Sequence, residues 1–108
     1  MSYSPNDIKI PAIVKAELIH GAEKSVKRDD TMMKVSAFLL PFEIVPFDGV
    51  AAEFYGKVKA RLELDGMLIG SNDLVIAATV LARNGVLVTN STREFVRVEG
   101  LGLENWVS

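Results

Sequence analysis

The sequence contains no cysteine, and this absence excludes several kinds of chemistry. Without thiols the chain has no disulfide scaffold, no thiolate nucleophile and no cysteine-based zinc site. No apolar run reaches the roughly 18 residues that a membrane-spanning helix needs. The N-terminal residues MSYSPND lack the basic and apolar regions of a secretory signal peptide. We therefore expect a cytoplasmic protein without a membrane partner.

The sequence also lacks the excess of basic residues that is typical of general nucleic-acid binders. It has 12 Lys and Arg against 14 Asp and Glu, so that its formal net charge is −2. This charge does not exclude a nuclease, because bound cations can reverse the local electrostatic field around acidic side chains. Apolar residues make up 49% of the 108 residues, which suffices for the core of one domain. We expect a single domain over residues 1–108.

Short apolar runs alternate with helical patterns along the whole chain. The runs that predict strands are 8–14, 44–47, 86–88 and 95–98. The patterns that predict helices are 15–27, a stretch capped by Asp30 or Thr31 and ending at Leu40, 48–65 capped by Asp48, and a helix from Ser71 or Asn72 to Asn84. Strands that alternate with helices favour an α/β fold with a parallel sheet.

The stretch 70–95 carries the clearest pattern. Ser71 and Asn72 are suited to cap a helix, and Asp73 falls in its first turn, where the helix dipole favours an anion. Gly85 is expected to end this helix in the left-handed conformation. A short buried strand follows, and its end lies at the carboxyl edge of the sheet, where ligands bind in open α/β folds. The polar residues at that edge are Thr89, Asn90, Ser91 and Thr92.

Three stretches resemble PIN-domain ribonucleases, specifically the VapC-type toxins of bacterial toxin–antitoxin pairs. They are PAIVKAELIHG at 11–21, IVPFD at 44–48 and SNDLVIAATVLARNGVLVTNSTREFVRVEGLGLENW at 71–106. Their order and spacing match the family over nearly the whole chain. The resemblance implies a PIN-like three-layer α/β/α fold with a parallel sheet. It also implies N-terminal truncation, because the family's central first strand and its catalytic Asp have no counterpart before Ile8.

A missing central strand would leave the strands at 8–14 and 86–88 without a neighbour between them. Three lost apolar side chains at ~1.5–3 kcal/mol each approach the whole ~5–15 kcal/mol stability of a domain. We therefore expect the isolated monomer to be marginal. The chain closes its sheet directly between these two strands, recruits a strand from a partner, or represents a longer protein with a misassigned start, which is the outcome we favour.

The resemblance implies that Glu17 and Asp73 are catalytic acids and metal ligands, with Mg²⁺ as the cofactor and Mn²⁺ as an alternative. Clustered carboxylates resist joint ionisation unless a divalent cation neutralises them, and such a cation polarises a phosphodiester and activates water. Asn90 occupies a position where the family often has another acid, and we assign it a catalytic role. Thr89 and Ser91 are expected to contact substrate. Without the resemblance, Glu17 and Asp73 are ordinary solvated acids at helix starts.

The function implied by the resemblance is that of a VapC-like toxin, an Mg²⁺-dependent endoribonuclease with an RNA substrate. A cognate VapB-like antitoxin would neutralise it by covering the cleft near Glu17 and Asp73. Two of four expected acidic positions are absent, so that the alternative is a catalytically inactive, truncated PIN remnant that binds an antitoxin or a second copy. A third reading, an unrelated α/β module that binds a phosphate-bearing ligand at 89–92, has no glycine-rich phosphate motif to support it.

Apolar side chains on the second and third predicted helices are expected to lie mostly in the core, with part of them forming a homodimer face. They are Met32, Met33, Phe38, Phe54 and Tyr55. Trp106 is expected to be buried by default.

Overall fold

The computed structural model describes residues 8–89 and 92–105. Asn90, Ser91 and Trp106, to which roles are assigned above, lie outside the described residues. The chain divides into two compact units, Met1–Pro46 and Phe47–Ser108, which we call the N-terminal and C-terminal units. Within the described residues, every helix is too short or too polar to cross a membrane.

The N-terminal unit has the order β1 (Lys9–Pro11), α1 (Ala12–Glu23), α2 (Arg28–Leu39) and β2 (Glu43–Val45). β1 and β2 pair in parallel with Lys9 opposite Glu43, and the Lys9 Nζ lies 2.8 Å from the Glu43 Oε1. Prediction of a strand over 8–14 is wrong beyond Pro11, where the helix begins. Proline fixes φ near −65° and has no N–H to donate, so that Pro11, with φ −58°, is a favourable residue from which to enter a helix.

The turn between α1 and α2 is closed by Arg28. Its Nε and Nη2 donate to the two carboxylate oxygens of Glu23 at 2.7 and 3.0 Å, and its Nη1 donates to Asp29 Oδ1 at 2.8 Å. These hydrogen bonds lower the pKa of Glu23 and raise that of Arg28. The prediction that Asp30 or Thr31 caps α2 is wrong, because this arrangement starts the helix at Arg28 and places Asp30 in its first turn.

Several apolar side chains of the N-terminal unit are exposed. Met33 is 72% exposed and Phe38 is 58% exposed, so that neither lies in the core of this unit, and the homodimer face predicted for part of this set stays a prediction. Phe38 packs edge-on against Phe42, with ring centroids 5.6 Å apart. Met32 is half-buried. The small unit buries few side chains, and α2 therefore keeps much of its apolar surface outside this unit's core.

The C-terminal unit has the order α3 (Gly49–Leu64), α4 (Ser71–Ala82), β3 (Val86–Thr89), α5 (Thr92–Phe95) and β4 (Gly102–Asn105). Its buried cluster contains Leu62, Ile69, Leu74, Ala77, Phe95 and Val98. Leu87 of β3 and Leu103 of β4 pack against this cluster, as does the half-buried Tyr55. Phe54 is also half-buried. Helices α3, α4 and α5 and both strands of this unit therefore share one apolar core.

Asp48 joins the start of α3 to the end of α4. Its Oδ1 accepts a hydrogen bond from the Ala51 backbone N–H at 3.0 Å, which confirms the prediction that Asp48 caps this helix. Its Oδ2 lies 3.7 Å from the Arg83 Nη2 at the end of α4. One carboxylate thus serves as a helix cap and as an ion-pair partner.

The predicted strand at 95–98 is wrong. Phe95 ends the short helix α5, and Phe95 and Val98 are both buried, a spacing of three that suits a helical turn better than alternation along a strand. The strand lies instead at Gly102–Asn105, where glycine and acidic residues conceal the alternation of Leu101 and Leu103.

An α/β architecture with parallel strands is confirmed, but the described strands form two sheets where one was expected. Their orders are β1–β2 and β3–β4, and both pairs are parallel. Each pair lies within one unit. The connection through α1 and α2 makes β1 and β2 parallel, and the connection through α5 does the same for β3 and β4.

Candidate active site

The carboxyl ends of β3 and β4 lie at the same end of the C-terminal unit as the first turn of α4. The backbone N–H of Gly85 donates to the Val80 carbonyl at 3.0 Å, so that the chain reverses directly from α4 into β3. Leu74 in the first turn of α4 and Leu87 in β3 both contribute to the same core. A helix and a strand that are joined by a tight reversal and packed side by side run in opposite directions. The start of α4 therefore lies beside the end of β3.

Asp73 occupies the first turn of α4, as predicted. Its side chain is half-buried, and the next residue, Leu74, is fully buried. A Cβ atom placed on Gly70 would lie 3.7 Å from the Asp73 Oδ2, so that the carboxylate folds back over the helix start. The backbone N–H groups at this end of the helix favour an anion. Asp73 is thus a carboxylate held in place at the edge of the sheet.

The caps predicted for α4 differ from those in the structure. Gly70 is the N-cap residue, and the helix has no side-chain cap from Ser71 or Asn72, which are themselves helical. At the other end Asn84, with φ +52°, takes the left-handed conformation that was predicted for Gly85. Asparagine tolerates this conformation better than other residues with a Cβ atom, which explains the one-residue difference.

Thr89 ends β3, and its side chain is half-buried. In the parallel pairing of β3 with β4 its partner is Asn105, whose side chain is exposed. Thr92, the first residue of α5, follows β3 at the same edge. The edge next to Asp73 therefore carries hydroxyl and amide groups. Sequence reasoning missed Asn105, although the alternation of Leu101 and Leu103 was a signal for a strand in this part of the chain.

Glu17 belongs to the N-terminal unit and is exposed. It is not a helix-start acid, because α1 begins at Ala12 and Glu17 lies ~7.5 Å further along the helix axis. The dipole effect is confined to the first turn and does not favour this carboxylate. That Glu17 and Asp73 share one site stays a prediction.

The donor groups of the C-terminal edge suit a metal ion that keeps most of its water ligands. In the part of the chain that the structure describes, no three His, Asp or Glu side chains gather where they could enclose a metal ion. Mg²⁺ is usually held by only one or two protein carboxylates, with waters and substrate phosphates completing the octahedron. The carboxylate of Asp73 suits such an open site, whereas the described residues do not supply the ligands for a site enclosed by protein groups alone.

Most of the chain is similar to proteins of one family. The family profile described as PIN domain matches residues 2–101. Ribonuclease VapC2 of Rickettsia felis is 44% identical over 101 residues, which is 94% of this chain and 75% of the relative. The tRNA(fMet)-specific endonuclease VapC of Shigella flexneri is 36% identical over 97 residues, which is 90% of this chain and 74% of that protein.

Two solved structures are similar to this chain in fold and in sequence. VapBC2 from Rickettsia felis, bound to a DNA fragment from its promoter, aligns with a TM-score of 0.90 and 44% identity, over 94% of this chain and 76% of that chain. VapBC-1 from nontypeable Haemophilus influenzae aligns with a TM-score of 0.91 and 30% identity, over 99% of this chain and 81% of that chain. Nucleases of the matched type are generally metal-dependent.

Proposed function

The chain belongs to the PIN-domain family, and from this premise we propose that it is a VapC-type toxin, an endoribonuclease that cleaves RNA and is neutralised by a cognate antitoxin. The observation that carries the proposal is the position of Asp73, a half-buried carboxylate at the carboxyl edge of parallel strands. We further propose that both units belong to one PIN-like domain over residues 1–108, since the family match spans both of them.

In this proposal Asp73 and Glu17 hold Mg²⁺, with Mn²⁺ as an alternative. When bound, the ion supplies Lewis-acid polarisation of the scissile phosphodiester and a water that is nucleophilic at neutral pH. Asp73 contributes a negative charge from the first turn of α4, and the hydroxyl of Thr89 hydrogen-bonds the RNA strand beside it. Asn90 and Ser91 follow Thr89 directly in the chain, and we assign them to orientation of water and to substrate contact.

The proposed protein partner is a VapB-like antitoxin, a segment of which covers the edge near Asp73 and Glu17. Support comes from the VapBC complexes to which the fold is similar. We also propose a homodimer, for which the exposed Met33 and Phe38 supply apolar surface. A cytoplasmic location agrees with the absence of cysteine from the sequence.

The test is RNA cleavage by the full chain in Mg²⁺, in chelator, and in chelator followed by Mg²⁺ or Mn²⁺. Asp73→Asn keeps the size of the side chain and removes its charge. We expect a larger loss of activity than the about 10–100-fold that removal of an indirect metal contact costs. Asp30→Asn is the matched control, since Asp30 occupies the third residue of α2 as Asp73 occupies the third residue of α4.

Equal activity of Asp73→Asn and the unmodified chain would contradict the proposed site. Cleavage that persists in chelator would contradict the metal requirement. Absence of cleavage by the unmodified chain, together with retained binding of an antitoxin, would favour the catalytically inactive PIN remnant. Glu17→Gln, compared with Glu63→Gln at another exposed acid, tests whether the second predicted ligand contributes.

A further inference from the structure

The register of β3 and β4 brings together two polar residues that lie far apart in the sequence. Val86 pairs with Gly102 and Thr89 pairs with Asn105, so that the two residues lie at the same level of the parallel pair. Thr89 presents a hydroxyl group, and Asn105 presents a carboxamide. Both groups can donate and accept hydrogen bonds, and neither carries a charge.

The face of the sheet on which this pair lies follows from the alternation of side chains along a strand. Leu87 and Leu103 pair with each other and pack against the core that contains Leu74 of α4. Thr89 and Asn105 are two residues further along their strands and therefore lie on that same face. The pair thus occupies the side of the sheet covered by α4, at the end where α4 begins with Asp73.

Gly102 restricts β4 to this register. A Cβ atom at this position would lie 3.1 Å from the Val86 Cγ2 and 3.3 Å from the Gly85 carbonyl oxygen. A shift of one residue would also place Glu104 opposite Thr89 and would turn Leu103 away from the core. The register of β3 and β4 is therefore set by the close approach of Gly102 to the backbone at Gly85 and by the burial of Leu87 and Leu103.

We infer that Thr89 and Asn105 form a subsite that hydrogen-bonds a ribose 2′-hydroxyl of the RNA strand, and that Asn105 thereby makes the site prefer RNA to DNA. This inference rests on the proposed function. A phosphate is best held by charged donors, whereas a 2′-hydroxyl both donates and accepts a hydrogen bond. A neutral amide next to a neutral hydroxyl matches the second ligand. The exposed Asn105 is accessible to an incoming strand, and its partner Thr89 is half-buried.

The experiment uses the full chain and a single-stranded RNA that it cleaves, together with a set of variants of that RNA, each carrying one 2′-deoxy nucleotide. Asn105→Ala is compared with Asn84→Gly, which removes a carboxamide at the far end of α4 and keeps the left-handed backbone accessible. One neutral hydrogen bond corresponds to about 2–10-fold in affinity. We expect Asn105→Ala to raise KM by that factor and to leave kcat nearly unchanged.

The decisive comparison is the response to deoxy substitution. At one position of the RNA, loss of the 2′-hydroxyl should weaken binding to the unmodified chain and to Asn84→Gly, but should have no further effect on Asn105→Ala. The salt dependence of binding should be the same for all three proteins, because no charge is removed. Asn105→Gln, which retains the carboxamide, should recover part of the affinity. Asn105→Leu, which has nearly the shape of asparagine but no hydrogen-bonding group, serves as the second variant if Asn105→Ala unfolds.

Two results would overturn the inference alone, while cleavage of RNA upholds the proposed function. The first is an unchanged deoxy-substitution pattern in folded Asn105→Ala or, where that variant unfolds, in Asn105→Leu. The second is a smaller salt dependence in Asn105→Ala, which would assign the side chain to a phosphate. Absence of RNA cleavage by the unmodified chain, with Asp73 intact, would overturn the proposed function and this inference with it.

Discussion

Replacement of Gly102 by alanine should destabilise the chain, although alanine is ordinarily the better residue. The new Cβ atom would lie 3.1 Å from the Val86 Cγ2, which can rotate, and 3.3 Å from the Gly85 carbonyl oxygen, which belongs to the backbone. Overpacking of this kind costs about 1–3 kcal/mol, and the reduced freedom of the unfolded chain returns about 0.4–1 kcal/mol. We expect a net loss of about 0.5–2 kcal/mol in the free energy of unfolding.

The matched control is Gly56→Ala in the middle of α3. Gly56 is exposed, and a Cβ atom there would have no other heavy atom within 4 Å. Because alanine is favoured over glycine in a helix by about 1 kcal/mol, this variant should be more stable than the unmodified chain. Both substitutions restrict the unfolded chain in the same way, so that their difference isolates the contacts of the folded state. We expect the two variants to differ by about 1.5–3 kcal/mol.

The assay is urea unfolding followed by circular dichroism, with the midpoint and the slope fitted separately. An unchanged slope with a lower midpoint for Gly102→Ala would indicate a loss of stability without a change in the surface exposed on unfolding. Because Asn105 lies in the same strand as Gly102, RNA binding should weaken as well. Gly102→Ala with the stability of Gly56→Ala would show that β4 adapts without cost and would refute the close-approach argument.

Two further predictions concern charged groups. Asp48→Ala should cost about 1 kcal/mol in urea unfolding, because it removes the hydrogen bond from the Ala51 N–H. Asp48→Asn keeps that cap and loses only the exposed ion pair with Arg83, so that its loss of stability should stay below about 1 kcal/mol. Equal losses of stability for the two variants would contradict the assignment of the larger contribution to the cap. The pKa of Glu23 lies below its ordinary value of 4.5, chiefly because Arg28 donates hydrogen bonds to the carboxylate. The resulting stabilisation of the folded chain is complete above pH 4.5 and is lost as the pH falls through the lowered pKa. Glu23→Gln should therefore flatten the acid side of the curve of thermal midpoint against pH, and an unaltered curve would contradict the assignment.

Helix positions were largely predictable because they depend on neighbours three and four residues apart. Asp48 followed by an amphipathic stretch predicted α3, and the polar start before Leu74 predicted α4 with Asp73 in its first turn. Helix ends were less predictable, since Gly70 caps α4 through its backbone conformation and Asn84 takes the left-handed position in place of Gly85. At such ends several residues satisfy the local rules, and packing selects among them.

Strands were predicted less well. The β-branched run at 8–14 lost its second half to α1, because Pro11 provides an entry to a helix and the good helix formers at 15–18 continue it. Val98 was assigned to a strand from its composition, whereas burial of Phe95 and Val98 in the core requires a turn of helix at that point. Strand propensity measures how a side chain fits a surface that only the folded chain supplies.

The sequence by itself determined the α/β class, the helix that carries Asp73, the polar run that begins at Thr89 and the resemblance to PIN-domain ribonucleases. These properties depend on residue types and on short spacings along the chain. Only the tertiary structure decided that β4 occupies Gly102–Asn105, that Asn105 pairs with Thr89, and that both lie on the face covered by α4. The register of two parallel strands depends on contacts between segments that are distant in the chain, here a glycine that meets the backbone at Gly85 and two leucines that share one core.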